Sequence, residues 1–154
     1  GVDRQTVIYR KLNILAPMIV GKRVAVVDDS IVRGDTMRGN VRRLRDAGAM
    51  EVHVFVTYPR IIGPCFYGID MSSYGELIGA RLTPEEIARE IDADSVNYLP
   101  IDEYIKETGM RPDQLCLGCI TDRYPTEMAD TLSEAMKEKL SQGAVEEGRI
   151  YESL

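Results

Sequence analysis

Apolar positions along the chain fall into two alternating rhythms. Arg23 to Asp29, RVAVVDD, is a short apolar run closed by two acids. That is the pattern of a strand buried on both faces. The spacing then changes. Met37, Val41, Leu44 and Ala47 recur every three or four residues and predict a helix over Met37 to Ala47. Asp35 or Thr36 would cap it, and Gly48 sits where a C-terminal stop is expected. Glu51 to Tyr58 is again β-branched and apolar, a second strand. Strand, glycine-containing turn, helix and strand make a βαβ unit, which implies a parallel sheet and an α/β fold class.

After Tyr58 the rhythm breaks. PRIIGPCFYGIDMSS carries two prolines and two glycines and reads as a long ordered loop. Short helices are predicted at Tyr74–Arg81 and Pro84–Ile91, the second opened by Thr83 as N-cap and Pro84 in its first turn. Val96 to Leu99 predicts a short strand, and Ile101–Thr108 a helix stopped by Gly109. DQLCLGCITDRYP is turn-rich. Glu127 to Leu140 predicts a helix with Met128, Leu132, Met136 and Leu140 in line. Leu12 to Val20 is apolar but broken by Pro17 and is left unassigned. The last dozen residues are polar and are expected to fray. The expectation is an α/β parallel-sheet core with a C-terminal helical, cysteine-containing extension, all in one domain over residues 1–154.

Composition narrows the partners. Nineteen basic residues oppose 25 acidic ones, a net charge of −6, which argues against a general nucleic-acid binder. The first 45 residues are nonetheless rich in arginine and lysine, useful beside an anion site. No apolar run approaches the roughly 20 residues that span a bilayer. The N-terminus lacks the apolar stretch of a signal peptide. A soluble, cytoplasmic protein without a membrane partner is expected. Three cysteines, Cys65 and the CxxC pair Cys116 and Cys119, are an odd count for a secreted disulfide framework. Metal ligation or a reduced cytosolic state fits better.

The first strand leads into the richest chemistry. Asp28 and Asp29 close it; Ser30, Ile31, Val32, Arg33, Gly34, Asp35 and Thr36 follow before the helix. Ligands of open α/β sheets sit outside the carboxyl ends of strands. A loop there that enters a helix offers backbone N–H groups and the positive end of the helix dipole to an anion. Gly34 lets the backbone approach a phosphate or take positive φ, and Thr36 can donate a hydroxyl. Two adjacent carboxylates can accept from a vicinal diol or hold Mg²⁺ through waters.

VVDDSIVRGDT resembles the phosphoribosyl-pyrophosphate (PRPP) loop of the type I phosphoribosyltransferases, and more closely that of the glutamine PRPP amidotransferase family. RKLN at 10–13, GKRVAVVDDSIVRG at 21–34, AGAMEVHV at 47–54, PCFYGIDM at 64–71, ELIGA at 76–80, IDAD at 91–94 and CLGCITDRYP at 116–125 resemble family segments in the same order. The resemblance implies that Asp28 and Asp29 face the ribose hydroxyls and Mg²⁺, and that Val32, Arg33, Gly34, Asp35 and Thr36, after Ser30, wrap the 5′-phosphate. It also implies that Arg10 and Lys11 lie in or beside a loop that closes over PRPP. Asp35 departs from the family, which has an uncharged residue there. A carboxylate suits a phosphate loop only if it turns away, as a helix cap would.

The same resemblance implies a cluster. One branch of the family carries [4Fe–4S], and Cys65, Cys116 and Cys119 match three of its ligands, the fourth lying outside this chain. The other readings are three reduced thiols, or zinc with a fourth ligand; His53, mid-strand, is a poor candidate for that. The resemblance further implies that this chain is the C-terminal portion of a phosphoribosyltransferase domain, without the glutaminase domain and the first strands. A missing N-terminal portion, a partner chain or a homo-oligomer would complete it. The implied activity is transfer of glutamine-derived ammonia to C1 of PRPP in purine biosynthesis, with purine nucleotides as inhibitors. The alternative is a non-catalytic PRPP- or nucleotide-binding module of the same fold. A purine salvage enzyme is disfavoured, because it would not need the PCFYGID and CLGCITDRYP segments.

Overall fold

The computed structural model describes residues 14–71 and 73–143. Three parallel strands, β1 (Arg23–Asp28), β2 (Glu51–Val56) and β3 (Ser95–Tyr98), pair in the order β1-β2-β3. Helix α1 (Ala16–Ile19) is a single turn ahead of the sheet, over part of the segment that Pro17 left unassigned. Helix α2 (Asp35–Asp46) joins β1 to β2. A long loop, the single turn α3 (Ile78–Arg81) and α4 (Pro84–Glu90) join β2 to β3. Then come α5 (Ile101–Thr108), a 3₁₀ turn at Pro112–Gln114, α6 (Gly118–Thr121) and α7 (Glu127–Ser141).

Local chemistry accounts for most of these boundaries. Thr83 caps α4 in a reciprocal box with Glu86, and Pro84 occupies the first turn. Gly109 ends α5 in the left-handed conformation, with φ 66°. Helix α2 does not follow the expected capping. Gly34, at φ 88°, is its N-cap, the helix begins at Asp35, and no side chain caps it. Neither Asp35 nor Thr36 can serve, because the left-handed turn at Gly34 already delivers the chain into the first helical residue. The predicted helix over Tyr74–Arg81 contracts to Ile78–Arg81, since its first half is a turn.

One sheet face is covered. Met37 and Val41 of α2 and Ile87 and Ala88 of α4 pack with Ile91 on Val52, Val54, Val56 and Val96 in one cluster. The other face carries Ala25 and Val27 beside His53 and Phe55, with Val27 66% and Phe55 44% exposed. The expected burial of β1 on both faces is therefore corrected. Its positions alternate between exposed and half-buried, because both crossover helices pack on the same side. A strand buried on one face and a strand buried on two can share the same Val-rich sequence.

A second cluster joins Ile61, Met71, Leu77 and Ile120, with Val32, Tyr58, Cys65, Leu117 and Cys119 packed on it. Helix α7 is tied to it through polar groups. The Tyr74 hydroxyl donates to Asp122 and bonds the buried Ser133 hydroxyl at 2.7 Å. Lys137 pairs with Asp122. The buried positions of α7 are Ala129 and Ser133, and Met128 is 73% exposed. Of the predicted apolar stripe, Leu132, Met136 and Leu140 are half-buried and Met128 is exposed, while Ala129 and Ser133 take the fully buried positions. Among the described residues, no helix is long and apolar enough to cross a membrane.

Candidate functional site

The loop between β1 and α2 lines a cleft of about 510 Å³ at the carboxyl end of the sheet. Asp28, Asp29, Ser30, Val32, Arg33, Gly34, Asp35 and Thr36 all line it, with Ile31 and Met37. Every one of the eight expected PRPP contacts is therefore in one cavity. Arg10 and Lys11 lie outside the described residues.

The two acids are aimed by the main chain. Asp29 donates its N–H to Asp28 Oδ1 at 3.0 Å, and Ser30 donates its N–H to Asp29 Oδ1 at 2.7 Å. The Asp28 carbonyl accepts from the Thr57 N–H at 2.9 Å and from its hydroxyl at 3.3 Å. The neighbouring strand thereby fixes the point where the acids leave the sheet. Two adjacent carboxylates held this way suit a diol or a hydrated divalent cation.

Beyond the acids the chain turns sharply. Gly34 is buried and lies in the left-handed region that a Cβ disfavours. A Cβ there would also meet Ile78 Cδ1 at 2.9 Å. From Gly34 the chain enters α2, which spans 12 residues, so the first N–H groups and the helix dipole are presented at the cleft. Asp35 is not a cap. Its exposed carboxylate lies 3.5 Å from the Arg38 guanidinium, one turn along the helix. Arg38 also pairs with Glu90 and donates to its carbonyl at 3.1 Å.

The cysteines form a second locus. Cys65 and Cys119 are half-buried on the second cluster and Cys116 is exposed. Cys65 Sγ accepts the Tyr67 N–H at 3.4 Å, and the Tyr58 hydroxyl lies 3.8 Å from Cys119 Sγ. Burial pushes the Cys119 thiol up, the Tyr58 hydrogen bond opposes this, and the charges of Cys65 and Cys116 push it further up. Among the described residues, no group of three or more His, Cys, Asp or Glu side chains is close enough to hold a metal ion. The donor set has the thiol chemistry a cluster requires without its ligand geometry.

Three contributors to the loop escape a reading of the sequence. Thr57 follows β2 and could be found only from the β1–β2 register. Glu76 pairs with Arg33, and Ile78 N–H donates to the Val32 carbonyl at 2.9 Å. Both sit more than 40 residues from Val32 and Arg33, inside the predicted Tyr74–Arg81 helix, and nothing in that prediction signals their contact with the loop.

A parallel sheet with an acid-tipped first strand, a left-handed glycine and a helix entered at the cleft defines the type I phosphoribosyltransferase-like class. No protein-family model matches the chain. The amidophosphoribosyltransferase of Methanocaldococcus jannaschii is 46% identical over 126 residues, 82% of this chain and 26% of that protein. The Bacillus subtilis enzyme is 45% identical over 140 residues, 88% of this chain and 29% of that protein. A solved structure of B. subtilis glutamine PRPP amidotransferase complexed with ADP and GMP superposes with a TM-score of 0.70 at 42% identity, covering 83% of this chain and 30% of that one. The chain is a homologue of the C-terminal part of the amidophosphoribosyltransferases, and it spans little more than a quarter of their length.

Proposed function

We propose that this chain is the PRPP-binding part of an amidophosphoribosyltransferase, in which ammonia derived from glutamine displaces pyrophosphate from C1 of PRPP in purine biosynthesis. The observation that carries this reading is the single cleft lined by Asp28, Asp29 and the whole Ser30–Thr36 loop. In this reading Asp28 and Asp29 accept from the ribose hydroxyls and hold Mg²⁺ through water. That ion would supply charge neutralisation of the leaving pyrophosphate. The loop N–H groups and the Thr36 hydroxyl hold the 5′-phosphate. Ammonia needs no general base, so positioning and charge stabilisation account for the rate.

A purine nucleoside 5′-phosphate has the same phosphate and ribose, and in this reading it competes for the same cleft as an inhibitor. The relative complexed with ADP and GMP supports nucleotide binding in this group of proteins. Arg10 and Lys11 are assigned to a segment that closes over PRPP. Val27 and Phe55, exposed on the open sheet face, are assigned to contact with the remainder of a longer protein or with another subunit in a homo-oligomer. The free cysteines fit a reducing cytoplasm; the resemblance makes Cys65, Cys116 and Cys119 three ligands of a [4Fe–4S] cluster in the intact protein, and they would have to draw closer together to hold one. No step of the reaction is routed through it.

The test is calorimetric titration of PRPP with Mg²⁺, followed by an ammonia-dependent pyrophosphate-release assay on protein that includes the rest of the catalytic domain. Asp28→Asn with Asp29→Asn should weaken PRPP binding about a hundredfold, the loss of two charge-assisted contacts. Unchanged binding in the double variant would refute the assignment. Tight binding without pyrophosphate release would favour the non-catalytic module instead.

A further inference from the structure

The stretch from Glu76 to Ile78 grips three successive residues of the phosphate loop. The Arg33 guanidinium is ion-paired to Glu76. The Val32 carbonyl accepts the Ile78 N–H at 2.9 Å. Ile78 packs on Gly34, where the Cβ of any larger residue would meet it at 2.9 Å. Glu76 is itself anchored, since its Oε1 accepts the Ser73 N–H at 3.1 Å and its side chain is only 18% exposed. Leu77 between them is fully buried in the second cluster. The loop is therefore braced by a packed segment more than 40 residues away.

We infer that Glu76 is a positioning residue for phosphate binding. It holds Arg33 as a strut, so that the loop's main-chain N–H groups are the phosphate ligands and the guanidinium is not. The inference rests on the cleft being a ribose-phosphate site, as proposed above. Its chemistry follows from charge. Arg33 is a cation among three carboxylates lining the same cleft, Asp28, Asp29 and Asp35. Its positive charge is already offset by Glu76. The N–H groups of a preorganised loop need no such neutralisation and no rearrangement when the anion arrives. A strut and a ligand differ in one testable respect. A strut works equally well with its two charges exchanged, whereas a ligand does not.

The experiment titrates ribose 5-phosphate into the full chain by calorimetry, with the thermal midpoint as a control for folding. Glu76→Gln should raise Kd about three- to fivefold with a midpoint near wild type. Arg33→Glu should weaken binding further, because two carboxylates then face each other. The exchanged pair, Arg33→Glu with Glu76→Arg, should recover most of that loss. An unchanged Kd in Glu76→Gln overturns the inference. So does an exchanged pair that binds no better than Arg33→Glu alone, which would make Arg33 a direct ligand. Absence of binding by the wild-type chain would instead overturn the site reading, and this inference with it.

Discussion

The phosphate loop and the cysteine segment are built in opposite ways. The loop is one continuous stretch, residues 28–37, shaped by short-range bonds such as Ser30 N–H to Asp29 and by one left-handed glycine. The cysteine segment is held by long-range polar links. The Ile62 and Gly63 N–H groups donate to the Cys119 carbonyl at 2.8 and 3.0 Å, Tyr124 donates to the Pro64 carbonyl at 2.8 Å, and Tyr74 reaches Asp122 and Ser133. A locally shaped site tolerates change elsewhere in the chain, apart from the few distant residues that brace it, Thr57, Glu76 and Ile78. A site assembled from distant segments depends on every one of them. Mutations should therefore separate the two regions, except where a single residue joins them.

Gly79 is such a residue and should show the largest effect. It is buried, and a Cβ on it would meet the Ile61 carbonyl oxygen at 2.4 Å, a backbone contact that cannot swing aside. Gly79→Ala should lower stability by about 3 kcal/mol, and it should weaken ribose 5-phosphate binding as well, because Ile78 moves with it. Chemical denaturation and calorimetry on the same sample would check both. A destabilised protein with unchanged Kd would mean that the loop does not depend on its brace.

Tyr74→Phe should hit one side only. The hydroxyl bonds Asp122 and the buried Ser133, and its removal costs both bonds, leaving the Ser133 hydroxyl only its 3.3 Å bond to Asp122. The expected cost is about 2 kcal/mol, seen as a lower denaturation midpoint. Ribose 5-phosphate affinity should stay within about twofold of wild type. A fall in affinity of the same order as Gly79→Ala would erase the distinction between the regions.

The same contrast explains what the sequence disclosed. The βαβ core, the Thr83 N-cap and the residues lining the cleft were legible because each depends on neighbours a few positions away. Asp35 was misread as a cap because a left-handed Gly34 looks, in sequence, like any flexible turn. The one-sided sheet was hidden because Val24, Val26 and Val27 are compatible with one buried face or two. Ser133 takes a buried position of α7 because it bonds Tyr74, 59 residues away, a distance at which periodicity carries no information. Glu76 was missed for the same reason. Its role exists only after the chain has folded.

The smallest expected effect concerns the sheet beneath the loop. Asp94 Oδ2 accepts the Val52 N–H at 2.6 Å and pairs with Arg45 at 2.8 Å, which ties α2 to the start of β2 and β3. The Val52 N–H is the main reason its carboxyl is held below the usual range, with Arg45 adding to the effect. A depressed folded-state pKa contributes stability above the unfolded value, near 4, and that contribution is lost as pH falls through the folded value. Asp94→Asn should therefore lower Tm by about 2 °C at neutral pH, after allowing for solvent screening of a partly exposed pair. The gap between variant and wild type should close on acidification below pH ~4. Melting curves recorded from neutral pH downward would check it. The ribose 5-phosphate affinity of Asp94→Asn at neutral pH should match wild type, since Asp94 touches the base of the sheet and not the carboxyl end where the loop departs. A gap that widened toward acid would mean that the Asp94 carboxylate destabilises the fold, and the assignment of this pair as a clamp would fail.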